Sequence, residues 1–505
     1  MTRGLLRSGV LVAAGAVVLS SAPLAAAAPA AQLPPADVAA EVCAARSNDS
    51  HAALAECVTL DAVRGHQLAL QRVADAHGGT RVSGTEGHDA SVAYVVDTLR
   101  RAGYAPTVQP VTYRTFANRR PPLLERVEPS AATLPTTVLE HSGSGDVTAP
   151  ATTVPVDATP GCEAPDYDAF VQGTVAVVAR GGCTFATKAR LAQAAGAAAV
   201  VIANDRTGVL DATLGPEPGV DVPVVAVTQA VGRQLATTPN LVLHVRTATV
   251  RGPVTAANVV AERPGRPGAP VVMAGAHLDS DDSGPGLNDN GSGAAALLAV
   301  AEQMGGVQPE NTVRFAWWGA REAPVRGSTR YLEGLAPAEV DRIALYLDVD
   351  VIGSPNHVFF VSDGDDSDRI GAGPGPEGSA RIEKTFEAFY AQRGIPAKGA
   401  DLTGRSDDGA FMARGIPTGG ITTGTDGVKT VEEAARWGGT AGIPYDPCHR
   451  QACDDADNRD DEALDVNADA VAFAVLQYAM NTVDVTGVPG RDDFPPVSPP
   501  AAPAP

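Results

Sequence analysis

Potential metal ligands gather where apolar runs of this sequence end. His277-Leu-Asp279 follows the run 271–276, and Asn288-Asp289-Asn290-Gly291-Ser292-Gly293 leads into the Ala- and Leu-rich stretch 294–304. Glu322 follows the run 313–318, and Asp350 sits within 343–352. In an open α/β sheet, ligands bind outside the carboxyl ends of the strands. One imidazole and three carboxylates meeting there suit zinc or another borderline divalent cation. Spacing alone leaves a plainer account equally open, in which these are ordinary loop-facing polar residues.

The elements that must position them can be read around the runs. Each of 271–276, 313–318 and 343–351 ends in a polar or Gly-rich loop and is followed by helical sequence, the alternation of an α/β sheet. Upstream, Leu60, Val63, Leu68, Leu70 and Val73 recur at roughly helical spacing, and 92–99 resumes the pattern after the polar turn 78–87. Residues 116–150, rich in Pro and Thr, read as a connection into a second unit, with strands at 173–179 and 198–203 and a helix at 188–195. The tail from Asp484, with Pro495, Pro496, Pro499, Pro500, Pro503 and Pro505, is expected to be a disordered spacer without core-forming residues.

At 505 residues the chain is long enough for about three domains, or a large catalytic domain with an insert. A hydrophobic content of 44% excludes wholesale disorder. With 38 basic against 59 acidic side chains, the net charge of −21 argues against nucleic acid or an anionic membrane as partner. Arg3 and Arg7 precede an apolar run over 10–19 and small residues over 22–31, the pattern of a secretory signal peptide cleaved near Ala28 or Ala30. That run is too short to span a bilayer, so the chain is expected to be exported, without membrane insertion. Six cysteines in an exported chain should pair. They fall as the couples Cys43 and Cys57, Cys162 and Cys183, Cys448 and Cys453. Six cysteines allow 15 connectivities, so local pairing is an inference from proximity; a zinc finger is disfavoured because no Cys-x-x-Cys occurs.

The wording of the segments narrows the field. Gly275-Ala-His277-Leu-Asp279-Ser, Gly284-Pro-Gly-Leu-Asn-Asp289-Asn-Gly-Ser-Gly, Arg314-Phe-Ala-Trp-Trp-Gly, Asp350-Val-Ile-Gly-Ser-Pro-Asn, Gly404-Arg-Ser-Asp407 and Tyr445-Asp-Pro-Cys448 resemble, in order, the secreted di-zinc aminopeptidases of the aminopeptidase Y type, relatives of glutamate carboxypeptidase II. The resemblance covers about residues 58–113 and 255–482. Gly173-Thr-Val-Ala-Val-Val-Ala-Arg180-Gly-Gly-Cys183-Thr-Phe-Ala-Thr-Lys188 and Ala194-Ala-Gly-Ala-Ala-Ala-Val-Val-Ile-Ala-Asn204 resemble a protease-associated (PA) domain, which Cys162 with Cys183 would staple. The implied fold is α/β: a zinc-exopeptidase-type mixed sheet flanked by helices, with a smaller inserted PA α/β domain. The expected organisation is a signal peptide over 1–30, an N-terminal peptidase part over 38–135, the insert over 136–252, the catalytic domain over 253–483 and the tail over 484–505.

The resemblance also implies residue roles. One zinc would be held by His277, Asp289 and Asp350; the second would share Asp289 and add Glu322 and a histidine. Asp279 would orient His277 and raise its basicity. Two positions depart from the family pattern. Where the family has Gly-Ala-Glu-Glu, this chain has Gly319-Ala320-Arg321-Glu322, so Arg321 occupies the place of the general base and cannot take a proton. Where the family has Pro-Cys-Tyr-His-x-x-Cys, this chain has Pro447-Cys448-His449-Arg450-Gln451-Ala452-Cys453. Arg450 then sits at the ligand position, and His449 replaces a Tyr that helps polarise the substrate carbonyl. The expectation is one zinc, two in a typical member, with peptide hydrolysis impaired. Open alternatives are a peptide- or protein-binding relative without activity, ion pairs from both arginines in place of metal, or Arg321 turned to solvent with His449 as ligand. Substrate contact is expected from His449 and Arg405, although Arg405 with Asp407 could equally form a structural ion pair. Residues 420–424 stand where the family often has a pocket Phe, so any specificity pocket is altered. Trp317 and Trp318 are expected to pack in the strand, and Asn48-Asp-Ser50 fits a glycosylation pattern. A monomer acting on peptide or protein is expected.

Overall fold

Runs of Val, Ile, Ala and aromatic residues with no polar alternation demand burial on both faces, and three of them form the centre of one sheet. In the computed structural model, which describes residues 42–43, 46–215, 217–323, 327–371 and 373–499, the strands Val271–His277, Thr312–Trp318 and Ile343–Val349 lie side by side in parallel. Thr418–Thr422 continues parallel to Ile343–Val349; Phe360–Asp363 joins it antiparallel and carries Lys398–Asp401 at the edge. On the other side Thr312–Trp318 pairs antiparallel with the long strand Val242–Arg263.

Helices cover this sheet. Gly291–Met304 and Asp461–Met480 are buried along most of their lengths, which suits their Ala-rich sequences to close packing. Leu60–Ala76 and Glu86–Arg101 share one apolar core with them and with the central strands, so the N-terminal helices belong with the peptidase part of the chain. At Gly293 a Cβ would stand 2.4 Å from both Asn290 Oδ1 and Val349 O, so only glycine lets this helix start against the strand. Trp317 and Trp318 are fully buried; their indoles donate to Ala294 O (3.0 Å) and the Tyr346 hydroxyl (2.9 Å). Trp317→Ala is expected to cost roughly 3–5 kcal/mol through cavity formation, read as a lower urea midpoint at unchanged slope.

Val242–Arg263 is shared by two domains. Its C-terminal end pairs with the peptidase sheet; its N-terminal end pairs with Gly145–Thr153, beyond which come Val175–Ala179, Ala199–Ala203, Val224–Val227 and Thr137–Val138. Apolar clusters on both faces of these strands, one with helix Phe185–Ala194 and the other with Gln229–Thr237, make the insert a second core.

The stretch read as a connection is instead largely strand. Thr107–Glu128 pairs antiparallel with Val242–Arg263 over nearly its whole length, burying Val111, Tyr113 and Leu124. Pro121 and Pro122 fall within register shifts between Asn118, Arg120 and Leu123, where a strand loses no ladder bond to proline. The tail also departs from expectation as far as it is described: Phe494 is buried in the main core, and its carbonyl accepts from the Gln477 and Asn481 side-chain amides. Val485 and Val497 pack against the same core, and Arg491 N donates to Met480 O. Residues 500–505 and the leader over 1–30 lie outside the described residues. Among the described residues no helix is long and apolar enough to cross a membrane.

All three local cysteine couples are disulfides. Asn48 is buried and donates to Gln303 O at 3.2 Å, while Ser50 caps the following helix; this asparagine is a structural partner and not a glycan acceptor.

Candidate functional site

Three adjacent strand ends and one helix start bring the charged residues together. His277 is the last residue of Val271–His277, Arg321 and Glu322 follow Thr312–Trp318, and Asp350 follows Ile343–Val349. Asp289 stands two residues before the helix Gly291–Met304, whose Asn290 cap accepts from Gly293 N. Val351 holds a positive φ of 55°, costly for a β-branched residue, and is fixed there by Asn290 Oδ1 on its N–H and by Thr423 on its carbonyl.

His277 Nε2 lies 3.1 Å from Asp289 Oδ1 and 3.4 Å from Asp350 Oδ1. These donors all fall within 4.8 Å of one another, a span one divalent cation bridges with bonds of ~2.0–2.2 Å. Asp350 Oδ1 is buried without a hydrogen-bond partner, an acceptor that a cation would satisfy. The residues therefore fit one metal. The other side of the cluster does not fit a second. Arg450 bonds Glu322 Oε2 at 2.7 Å, and Arg321 reaches Asp350 Oδ2 at 3.7 Å, so guanidinium charge stands against the remaining carboxylates.

The geometry separates the alternatives for the two departures. Arg321 is largely buried and faces the acids, and does not turn to solvent. His449 Nε2 sits 2.9 Å from Asp289 Oδ2, so this ring bonds the shared carboxylate, and it also lines the cavity beside the cluster. Asp279 is buried beside His277, but the His277 Nδ1 contact at 3.0 Å is to the Asp279 backbone carbonyl, its carboxylate being 3.7 Å away. That carboxylate accepts from the N–H groups of Arg321 and Glu322 and so holds the loop bearing them. Arg405 is exposed on the wall of a cavity of about 370 Å³ that also meets Asp289, Arg321, His449 and Arg450. Gly420, Ile421 and Thr422 line the same cavity, while Asp407 is buried.

The electrostatics report a cluster seeking positive charge. Burial alone would lower His277, but the carboxylates of Asp279, Asp289 and Asp350 outweigh it and hold the imidazole well above its ordinary value. Burial would raise Asp289, yet His277 and His449 hold it well below the carboxylate range. Glu322 is pushed up to about 7 by burial and by Asp289.

Some of the site was not found in the sequence. Arg81, in the turn before Glu86–Arg101, is fully buried; its guanidinium donates to Leu278 O, to Pro285 O at 2.9 Å and to Gly286 O at 2.7 Å. It thereby ties both ends of the loop that joins His277 to Asp289. Ser406 donates to Asp350 Oδ2 at 2.8 Å, and Asp454 accepts from the N–H groups of Asn288 and Asp289.

Buried acids give the fold a pH signature. Burial pushes Asp407, Asp408 and Asp469 to about 6 and Asp454 to about 7. Between about pH 4 and 7 the folded chain therefore keeps protons that the unfolded chain has released, and stability falls as pH rises through that window. His51, lowered to about 4 by burial, acts in the opposite sense, as do His88 and His357, also lowered by burial, but they are outnumbered. With chelator present, the urea midpoint is expected to be higher at pH 5 than at pH 8; a higher midpoint at pH 8 would contradict this assignment.

The family profile of peptidase family M28 matches residues 258–475, and that of the PA domain matches residues 146–235. An aminopeptidase of Pseudomonas aeruginosa is 42% identical over 447 residues, covering 85% of this chain and 82% of the relative. A probable lipoprotein aminopeptidase of Mycobacterium tuberculosis is 42% identical over 450 residues, 87% of this chain and 89% of the relative. Among solved structures, a zinc aminopeptidase from Bacillus subtilis shares the fold with a TM-score of 0.55 at 20% identity, covering 83% of this chain and 95% of its own. The sheet, the clustered acids and these likenesses agree: the chain belongs to peptidase family M28, as an aminopeptidase-type member with a PA domain inserted in its peptidase region.

Proposed function

We propose that this chain is an exported zinc aminopeptidase homologue whose cleft receives peptide N-termini, with one metal position kept and hydrolysis far below that of relatives carrying Glu at position 321. The observation that carries this reading is the pair of arginines. Arg321 stands in the place of the general base, and Arg450 is spent on Glu322 at 2.7 Å. Zinc held by His277, Asp289 and Asp350 would supply Lewis-acid polarisation of a bound carbonyl. A general base contributes ~10²–10⁴ in rate, and no guanidinium supplies one. A catalytically silent peptide-binding protein is the second reading, favoured by the same two side chains. The His449–Asp289 contact favours residual activity, since it keeps an imidazole at the shared carboxylate.

Export is supported by the leader sequence and by three disulfides, bonds that persist in oxidising compartments. The Mycobacterium tuberculosis relative is named a lipoprotein; here the first cysteine of the sequence, Cys43, is tied to Cys57. The deciding experiment is metal content of the purified protein with turnover of a panel of amino-acid anilides. About one zinc per chain with turnover at least ~100-fold below a relative bearing both glutamates supports the proposal. Two zinc ions and brisk, chelator-sensitive turnover would refute it.

A further inference from the structure

A second cavity, of about 310 Å³, meets the charged cluster: Glu322 is in its wall, whereas Arg450 is in the wall of the 370 Å³ cavity. Their ion pair therefore stands where the two cavities meet. A peptide with its N-terminal residue in the larger cavity and its next residues passing this pair would enter the second cavity. Its walls come from different parts of the chain. The strand Thr107–Glu128 gives the rings of Tyr113 and Phe116, and the insert gives His141, whose ring centroid is 5.5 Å from that of Phe116. The loop after His277 gives Asp281 and Asp282 and the insert gives Glu140, while Glu322 is already paired with Arg450. Among the described residues the one arginine on the wall, Arg114, is paired with Glu217 at 2.9 Å.

Aromatic faces together with carboxylates suit a cationic head on an apolar stem. A lysine or arginine side chain has that form, while an acidic one would meet like charge. The net charge of −21 draws the same class of peptide toward the cleft. We propose that this cavity holds a basic side chain of a bound peptide, at the second or third residue, so that the chain selects basic peptides. This rests on the reading of the cleft as a site for peptide N-termini.

The test uses the full chain and three tetrapeptides labelled at the C-terminus, Leu-Lys-Lys-Ala, Leu-Ala-Ala-Ala and Leu-Glu-Glu-Ala, with binding followed by fluorescence anisotropy. The basic peptide is expected to bind about tenfold more tightly than the neutral one, and the acidic peptide more weakly than both. Asp281→Asn with Asp282→Asn, both in a surface loop, should remove most of that spread, and Phe116→Ala should weaken the basic peptide selectively. Equal affinities for all three peptides in the unmodified protein would overturn this inference and leave the peptide-binding reading standing. A spread that survives the Asn pair and the Phe116 variant would also overturn it. Binding of no peptide at all would overturn both.

Discussion

Restoring Arg321→Glu, Arg450→His and His449→Tyr together is expected to raise zinc content from about one toward two per chain and to increase anilide hydrolysis at least ~100-fold, the lower end of what a positioned base contributes. The argument is electrostatic before it is catalytic. Unit charges 4 Å apart interact by about 4 kcal/mol at an effective dielectric of 20, and a dication feels more. Arg321, largely buried beside Asp350, exerts most of this repulsion, while Arg450 is half exposed and better screened. Removing both also frees Glu322 from its ion pair. Arg321→Glu alone should supply the base without the second metal and give a smaller gain. A triple variant that folds, takes up two zinc ions and hydrolyses no faster would show that the arginines are not what limits this cleft.

The second large effect concerns Arg81. Arg81→Leu is expected to cost at least about 3 kcal/mol, because three buried carbonyls lose their donor and each such loss costs ~1–3 kcal/mol. Arg81→Lys restores the charge but not the fork that reaches Pro285 O and Gly286 O together, so it should recover only part. Since these carbonyls lie on the loop from His277 to Asp289, zinc affinity of any folded Arg81→Lys protein should fall alongside the urea midpoint. Unchanged zinc affinity would confine Arg81 to a purely structural part.

The ligand-bearing strand ends were legible because each is an apolar run closed by a polar residue, and a sheet with crossover helices has one edge where such ends collect. The family wording added an expectation of which acid would go with which metal. What stayed hidden depends on contacts between distant segments. Arg81 looks like a turn residue until Leu278, Pro285 and Gly286 are folded over it, and no periodicity marks it. The direction of His449 depends on loop geometry, in which Arg450 takes a positive φ of 54°; counting residues between Cys448 and Cys453 could not show this. The long strand Thr107–Glu128 was masked by its prolines, which propensity counts against a strand; the register shifts accommodate Pro121 and Pro122, and Pro110 stays in register opposite Ala257.

The strand Val242–Arg263, common to both domains, also decides how this insert can be exchanged. Tyr113 faces Val254 in the ribbon, and Thr107 faces Val260, so the register runs unbroken from the peptidase sheet outward to Asn118. A graft that cuts both strands at one facing pair, such as Tyr113 with Val254, carries over a matched set of inward and outward side chains. Joints offset by a single residue would turn Val111 and Tyr113 outward and their exposed neighbours inward, because side chains alternate with period two. Transplanting a foreign PA domain onto this scaffold, or this one onto another, is thus a problem of phase before it is a problem of length.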